Sequence, residues 1–203
     1  MTEGVRTVST AADMRSLGRS LASVLRAGDL VILSGGLGAG KTTLTQGIGE
    51  GLGVRGRVTS PTFVIARVHP PLAGDADGAI GPGGGPGVGP GGARRAGRGP
   101  ALVHVDAYRL GSTVELDDLD LDTDTASSVT VVEWGEGLAE GLSSDRLEIT
   151  ITPEAGSASA GGAAGLDDQD GEAGDVPRTV RVYAVGERWE GINLPLAGLA
   201  DRL

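Results

Sequence analysis

The stretch Leu30-Val31-Ile32-Leu33-Ser34-Gly35-Gly36-Leu37-Gly38-Ala39-Gly40-Lys41-Thr42-Thr43 decides the fold. Four apolar residues run into a glycine-rich turn, and Gly35 to Thr42 fits the spacing G-x-x-x-x-G-K-[ST]. Gly35, Gly38 and Gly40 allow the backbone to curl without Cβ clashes, so that successive N–H groups point into one cavity. A triphosphate fits there, facing the positive end of the helix begun by Thr42 and Thr43. Lys41 is placed to reach the β- and γ-phosphates, and the Thr42 hydroxyl to ligate Mg²⁺. An apolar strand before the loop and the amphipathic stretch Leu44 to Leu52 after it supply the context the motif requires. Leu33-Ser34-Gly35-Gly36 also looks like the start of the signature motif of ABC transporter ATPases. Those residues already form the phosphate loop, and there is no second loop, so that identification is rejected.

Outward from the loop, strands alternate with helices. Val5 to Thr10 reads as a short strand, and Thr10 or Ser9 as the cap of a helix from about Ala11 to Arg26, whose Met14, Leu17, Leu21, Val24 and Leu25 keep the helical period. Leu30 to Leu33 is apolar enough to be buried on both faces of a sheet. A helix follows from Thr42 to about Gly51, and Val58 to Ala66 forms a turn with proline leading into a strand. Ala101-Leu102-Val103-His104-Val105-Asp106 and Val129-Thr130-Val131-Val132-Glu133 are apolar strands that each end in a carboxylate, with a short helix from Ser112 to about Leu121 between them. Arg146 to Thr152 and Thr179 to Val185 read as late strands paired as a hairpin. Residues 187–203 show no clear pattern beyond a weak helix after Pro195. The expectation is an α/β fold, a three-layer sandwich of the P-loop NTPase kind, with a mostly parallel central sheet and late antiparallel strands.

Two stretches differ in kind. From about residue 70 to 100 more than half the residues are Gly or Pro, a composition that builds no packed core. It reads as a disordered insertion that enlarges a hairpin loop. A second insertion, about 154–177, is rich in Gly, Ala and Asp and has no basic residue. Removing both from the 203 residues leaves about 150, a normal size for one compact domain, so residues 1–203 are taken as a single unit.

Bulk properties narrow the function. The formal charge of −10 and pI near 4.6 argue against direct tight binding to a nucleic-acid backbone. The absence of cysteine excludes disulfides, thiolate zinc sites and cysteine nucleophiles. His69 and His104 are too few for a histidine-rich metal site, and His104 reads as a packed strand residue. No signal-peptide pattern opens the chain and no run approaches membrane-spanning length, so a soluble cytoplasmic protein is expected. The acidic run Glu115 to Asp124 fails as a calcium loop, because Thr123 falls where glycine is needed and Val129 where the bidentate glutamate belongs. It reads as a solvated face or a docking surface for a basic partner.

A Mg²⁺ held by Thr42 and two phosphates needs a nearby carboxylate, normally at the end of an adjacent strand. Asp106 and Glu133 are both so placed, and spacing alone does not divide the roles of metal ligand and water-positioning group between them. Three of the five aromatic residues lie inside polar motifs: Phe63 after Ser60-Pro61-Thr62, Tyr108 after Asp106, and Trp134 after Glu133. That concentration points to one common site.

These pieces, in this order, resemble the TsaE family of small ATPases in bacterial tRNA threonylcarbamoyladenosine biosynthesis. The resemblance rests on Gly36 to Leu44, Ser60-Pro61-Thr62-Phe63, His104 to Leu110, Glu115-Leu116 and Val132-Glu133-Trp134, and spans about Ser9 to Thr152 without the first insertion. It implies binding and hydrolysis of ATP with Mg²⁺ in a complex with TsaB and TsaD. That complex threonylcarbamoylates the adenosine next to the anticodon in tRNAs reading codons that begin with A. The ATP cycle is expected to reset the complex, with tRNA met only indirectly. The resemblance further implies that Gly38, Ala39, Gly40, Lys41, Thr42 and Thr43 hold the phosphates and that Thr42 and Glu133 coordinate Mg²⁺. Lys41, Asp106 and Glu133 become the catalytic set, Asp106 acting through water or metal contacts. Thr62 sits in a switch-like loop sensing the γ-phosphate, Trp134 lies beside the metal site, Arg109 orders the loop or meets a partner, and residues from Thr10 to Met14 border the adenine. The chain departs from the family pattern at Gly36, where Asp or Glu is usual, at Asp120, where glycine is usual, and at Ala107, which replaces a larger apolar residue.

Two other functions share the loop. A small-molecule kinase would need an arginine-bearing lid, and Arg94, Arg95 and Arg98 lie in a glycine-rich insertion without a helical pattern. A nucleotide-gated assembly protein would need binding and not hydrolysis. A GTPase is disfavoured because no Asn-Lys-x-Asp motif occurs; the sole asparagine is Asn193.

Overall fold

In the computed structural model, which describes residues 2–72, 99–117, 126–154 and 176–196, the apolar run before the loop is a strand buried at every position. It is β2 (Leu30–Ser34) among β1 (Thr2–Val8), β3 (Ala66–His69), β4 (Ala101–Asp106), β5 (Ser128–Glu133), β6 (Arg146–Pro153) and β7 (Arg178–Val185). The seven strands form one sheet in the order β1-β7-β6-β2-β5-β4-β3. β6, β2, β5 and β4 are mutually parallel. β3 closes one edge antiparallel to β4, and β7 and β1 close the other, each antiparallel to its neighbour. A strand at the centre of such a sheet has no solvent face, which is why β2 lacks the alternation of a half-exposed strand.

Two expectations about the sheet are refined. The late pair β6 and β7 is antiparallel as expected, yet β6 also pairs parallel to β2, so it belongs to the parallel centre. The N-terminal strand is an edge strand on β7, a pairing its own residues do not announce.

The sheet separates two cores by side-chain parity. Val31 and Leu33 point into the larger one with Met14, Leu17, Leu21, Leu44 and Ile48 of helices α1 (Ala11–Ala22) and α2 (Lys41–Leu52). Leu30 and Ile32 point into a smaller one with Val103, Val105, Leu116 and Ala139. Among the described residues the layer on that second side is thin, consisting of the short helix α3 (Thr113–Asp117) and the segment around the 3₁₀ turn Glu140–Leu142.

Helix α1 begins with a reciprocal capping box: the Asp13 amide donates to Thr10 Oγ1 at 3.0 Å, and the Thr10 amide donates to Asp13 Oδ2 at 3.1 Å. It stops at Ala22, short of the expected Arg26. The Ser23 and Val24 amides bond back to Ser20 and Leu21, tightening the chain into a turn while Leu25 remains buried. The apolar period therefore outlasts the helix. At the far end of the chain Arg188 forms a two-pronged pair with Asp29, at 3.0 Å on each oxygen, and donates to the Val24 carbonyl at 2.8 Å. This ties the residues after β7 to the turn that feeds β2.

The two long helices meet through glycine. A Cβ on Gly47 would lie 2.2 Å from the Arg15 carbonyl oxygen, one on Gly18 would lie 2.4 Å from the Leu44 carbonyl oxygen, and one on Gly51 would lie 2.5 Å from Ala22 Cβ. Glycine costs about 1 kcal/mol of helix propensity relative to alanine, and the close approach of α1 explains Gly47 and Gly51 of α2, whereas a Cβ on Gly49 would instead lie 2.7 Å from Val58 Cγ2. The expected insertions both interrupt hairpins, β3 to β4 and β6 to β7. Their interiors, the acidic run from Asp118 to Asp124 and the helix expected after Pro195 lie outside the described residues, wholly or for the most part.

Gly47→Ala distinguishes propensity from packing. Propensity alone predicts a gain of about 1 kcal/mol, whereas overpacking against a carbonyl predicts a net loss of about 1–3 kcal/mol. The expected outcome is a lower urea midpoint; a raised midpoint would mean that α1 and α2 do not approach as described.

Candidate functional site

The phosphate loop follows β2 directly. Gly35, Gly38 and Gly40 adopt φ of 143°, 72° and 106°, conformations open to glycine and costly for other residues. Gly35 is constrained twice, because a Cβ there would lie 2.4 Å from the Ile151 carbonyl oxygen of β6. Helix α2 starts at Lys41 with Gly40 as its cap and no side chain capping it. Such an uncapped helix start presents amide donors and the positive end of the helix dipole to whatever occupies the loop.

Lys41 folds back over its own loop. Its ammonium donates to the Gly35 and Gly36 carbonyl oxygens at 2.8 and 2.9 Å and lies 3.5 Å from the centre of a Trp134 ring. Burial lowers its pKa from that of a free lysine, while the carboxylates of Glu133 and Asp106 oppose the shift. The Thr42 hydroxyl donates to Glu133 Oε2 at 3.0 Å. The other carboxylate oxygen, Oε1, is 2.7 Å from His104 Nε2. Glu133 and His104 are both buried, so Glu133 has a hydroxyl on one oxygen and an imidazole on the other.

Sheet order accounts for this arrangement. β5 is the direct neighbour of β2, with Glu133 in register with Leu33, immediately before the loop. Asp106 pairs with Glu133 but stands one strand further out, on β4. Its Oδ2 accepts from Thr62 Oγ1 at 2.6 Å and Ser60 Oγ at 3.2 Å, and its Oδ1 accepts from the Tyr108 amide at 3.0 Å. The two acids that spacing left equivalent therefore have different surroundings: Glu133 holds Thr42, and Asp106 holds the Ser60-Pro61-Thr62 loop.

Two residues bordering this centre have unusual backbones. Ile65 (φ 65°) follows the Thr62 loop, and Trp134 (φ 61°) follows Glu133. A β-branched or aromatic residue in the left-handed region is strained. The Ile65 carbonyl accepts from the Asp106 amide at 2.8 Å and the Trp134 amide donates to the Leu33 carbonyl at 2.8 Å, anchoring both turns to the strand ends. The aromatic grouping expected from sequence forms in part. Tyr108 and Trp134 have ring centres 5.1 Å apart, while Phe63 lies exposed with the Arg109 guanidinium 5.2 Å from its ring centre. Thr10 uses its side chain in the α1 capping box, and Met14 comes near the loop, its Cε 3.2 Å from where a Cβ on Gly40 would be.

Two residues at the site were given no part in it from sequence: His104, read as a packed strand residue, bonds Glu133, and Arg178 was not named at all. His104 shares a strand face with Asp106 by the period of two, a signal present within the strand. Arg178, at the start of β7, places Nη2 3.5 Å from the Gly38 carbonyl oxygen. No local pattern marks it, because the contact joins β7 to the loop after β2, across β6.

The residues fit a magnesium–nucleotide pair. Positive-φ glycines and an uncapped helix form an anion cradle. Beside it a hydroxyl and a buried carboxylate, 3.0 Å apart, offer the hard oxygen donors that Mg²⁺ prefers. A cleft lined by Ser34, Gly35, Gly36, Trp134 and Glu136 opens next to them.

Residues 8–76 and 93–160 match the model of the family described as threonylcarbamoyl adenosine biosynthesis protein TsaE. A Streptomyces coelicolor protein named tRNA threonylcarbamoyladenosine biosynthesis protein TsaE is 52% identical over 87% of this chain and 93% of its own length. A Bacillus subtilis protein of the same name is 32% identical over 88% of this chain and 84% of its own. Among solved structures, Bacillus subtilis YdiB superposes with a TM-score of 0.58 at 26% identity, covering 93% of this chain and 90% of that one.

The indole of Trp134 is positioned to report on Lys41. Adding Mg-ATP should change tryptophan emission as the ammonium is drawn from the ring, and Trp134→Phe should abolish the change although Trp189 remains. A ligand-dependent change of equal size in Trp134→Phe would show that the ammonium and indole do not separate.

Proposed function

The chain belongs to the TsaE family, and from that premise we propose that it is a Mg²⁺-dependent ATPase serving the threonylcarbamoylation of adenosine in tRNA. The observation that carries the proposal is the Thr42–Glu133 hydrogen bond beside Lys41, a phosphate loop joined to a buried strand-end carboxylate. The amides from Gly38 to Thr43 hold the polyphosphate, and Lys41 exchanges the Gly35 and Gly36 carbonyls for phosphate oxygens. Thr42 and Glu133 would hold Mg²⁺, which when bound neutralises charge on the β- and γ-phosphate oxygens. His104 keeps the Glu133 carboxylate oriented. Asp106 keeps Thr62 close to the strand ends, so that the loop carrying Phe63 and Val64 responds to what occupies the centre.

We place the activity within a complex with TsaB and TsaD, with tRNA met through those partners. The net charge of −10 supports indirect contact with RNA, and the exposed rings of Phe63 and Tyr108 beside the centre support a protein partner at that edge. Among the described residues no helix is long and apolar enough to cross a membrane, which is compatible with action in the cytoplasm.

Glu133→Gln should retain ATP binding and lose Mg²⁺-dependent hydrolysis by about 10²- to 10³-fold, as expected for loss of a preorganised charge. Lys41→Ala should lose binding itself, and neither variant should restore tRNA modification in cells lacking the wild-type chain. Full restoration by Glu133→Gln would shift the reading to a nucleotide-gated assembly protein. Restoration by Lys41→Ala would remove nucleotide chemistry from the function altogether.

A further inference from the structure

Two imidazole nitrogens at the sheet have no protein partner among the described residues. They are Nδ1 of His104 and Nε2 of His69, in side chains of residues 0% and 4% exposed. Buried polar atoms are as a rule hydrogen-bonded, so each of these requires an explanation. His69 ends β3 and His104 lies within β4. In the antiparallel register Arg67 stands opposite His104 and His69 opposite Leu102, which makes the two histidines diagonal neighbours on one face of the sheet. Their ring centres are 6.5 Å apart and their planes are inclined at 34°. Rings so spaced are too far apart for a direct hydrogen bond between nitrogens, and a polar gap of this width is one that a single water spans.

What His104 does with its other nitrogen gives the pair a consequence. Nε2 is 2.7 Å from Glu133 Oε1, on β5. The two nitrogens of an imidazole diverge, so Nδ1 is turned from β5, and β3 with His69 is the strand on β4's other side. A neutral His104 serves Glu133 only as the tautomer with its hydrogen on Nε2, and what Nδ1 meets decides which tautomer forms. A donor at Nδ1 selects the serving tautomer; without one the ring is free to present a lone pair to a carboxylate oxygen. Burial first, then the neighbouring His104 and Arg67, lower the pKa of His69 and favour its neutral ring, which both donates and accepts. Resting on the proposed Mg-ATP function, we infer that His69 is a positioning residue for the cation site: through one buried water it holds Nδ1 of His104, which fixes Glu133 Oε1 and leaves Oε2 to Thr42 and the cation. Four side chains then form one line from the sheet edge to the phosphate loop, His69 of β3, His104 of β4, Glu133 of β5 and Thr42 of α2. Outer partners of this kind orient a ligand they do not touch.

The test uses the full chain with His69→Phe, which fills the space without a polar atom, and His69→Gln, which keeps a group able to donate and accept. Two readouts are taken: binding of Mn²⁺ to the ADP-loaded chain, followed by electron paramagnetic resonance, and the side-chain ¹⁵N resonances of His104. His69→Phe should weaken Mn²⁺ by about 10-fold, the low end for loss of an outer partner, with metal-free ADP affinity within about twofold of wild type. It should also move the His104 Nδ1 resonance toward that of a nitrogen without a hydrogen bond, and His69→Gln should recover most of both effects. Unchanged Mn²⁺ affinity in folded His69→Phe would overturn the inference. Equal weakening of Mn²⁺ and of metal-free ADP would overturn it too, because it would reduce His69 to packing, as would a His69→Gln chain no better than His69→Phe. Should the variants fail to fold, the wild-type spectrum decides: a His104 Nδ1 that resonates as hydrogen-bonded supports the relay, and one that resonates as free overturns it. A wild-type chain that binds neither ADP nor Mn²⁺ with ADP would instead refute the Mg-ATP function on which the inference rests.

Discussion

A buried ammonium governs the centre of this molecule. Lys41 is 4% exposed and must be satisfied wherever the loop places it. In this structure its partners are two carbonyl oxygens of its own loop and the face of Trp134. Each of these contacts can be exchanged for a phosphate oxygen, since a lysine ammonium has three donors and no fixed fork geometry. The same holds for Glu133, whose bond to Thr42 joins two oxygen ligands of the kind Mg²⁺ prefers. The positive-φ glycines, the uncapped start of α2 and the close packing of α2 on α1 all serve to hold this exchangeable set at the end of β2.

Around that set the backbone strain is local and directional. Ile65 and Trp134 both adopt left-handed φ, and each terminates a segment leaving the strand ends. One leads back to Thr62, held by Asp106, and the other to Glu133, held by Thr42 and His104. Strain of this kind persists only where surrounding bonds over-determine it. Here those bonds converge on the two acids, so a change at the loop has two short routes to the exposed Phe63 and Tyr108.

Much of this was legible in the sequence where the information is short-range. The loop and the strand before it are read from one run, because spacing and burial are both local. The hairpin of β6 and β7 is read from two alternating segments facing each other across an insertion. What was not legible depends on which strands become neighbours. The pairing of β6 with β2, the edge position of β1 and the separation of Glu133 from Asp106 follow from sheet order, which individual strands do not encode. Helix α1 was read too long because Leu25 stays buried beyond its last turn. Arg178 was missed for the same reason as the sheet order: its relation to Gly38 exists only once β7 is placed.

The most direct measurement is a crystal structure of the chain with Mg²⁺ and a non-hydrolysable ATP analogue. The account predicts Lys41 Nζ on phosphate oxygens and gone from the Gly35 and Gly36 carbonyls, with Thr42 Oγ1 and Glu133 at the cation. Lys41 still seated on those carbonyls at full nucleotide occupancy, or a cation held away from Glu133, would contradict it.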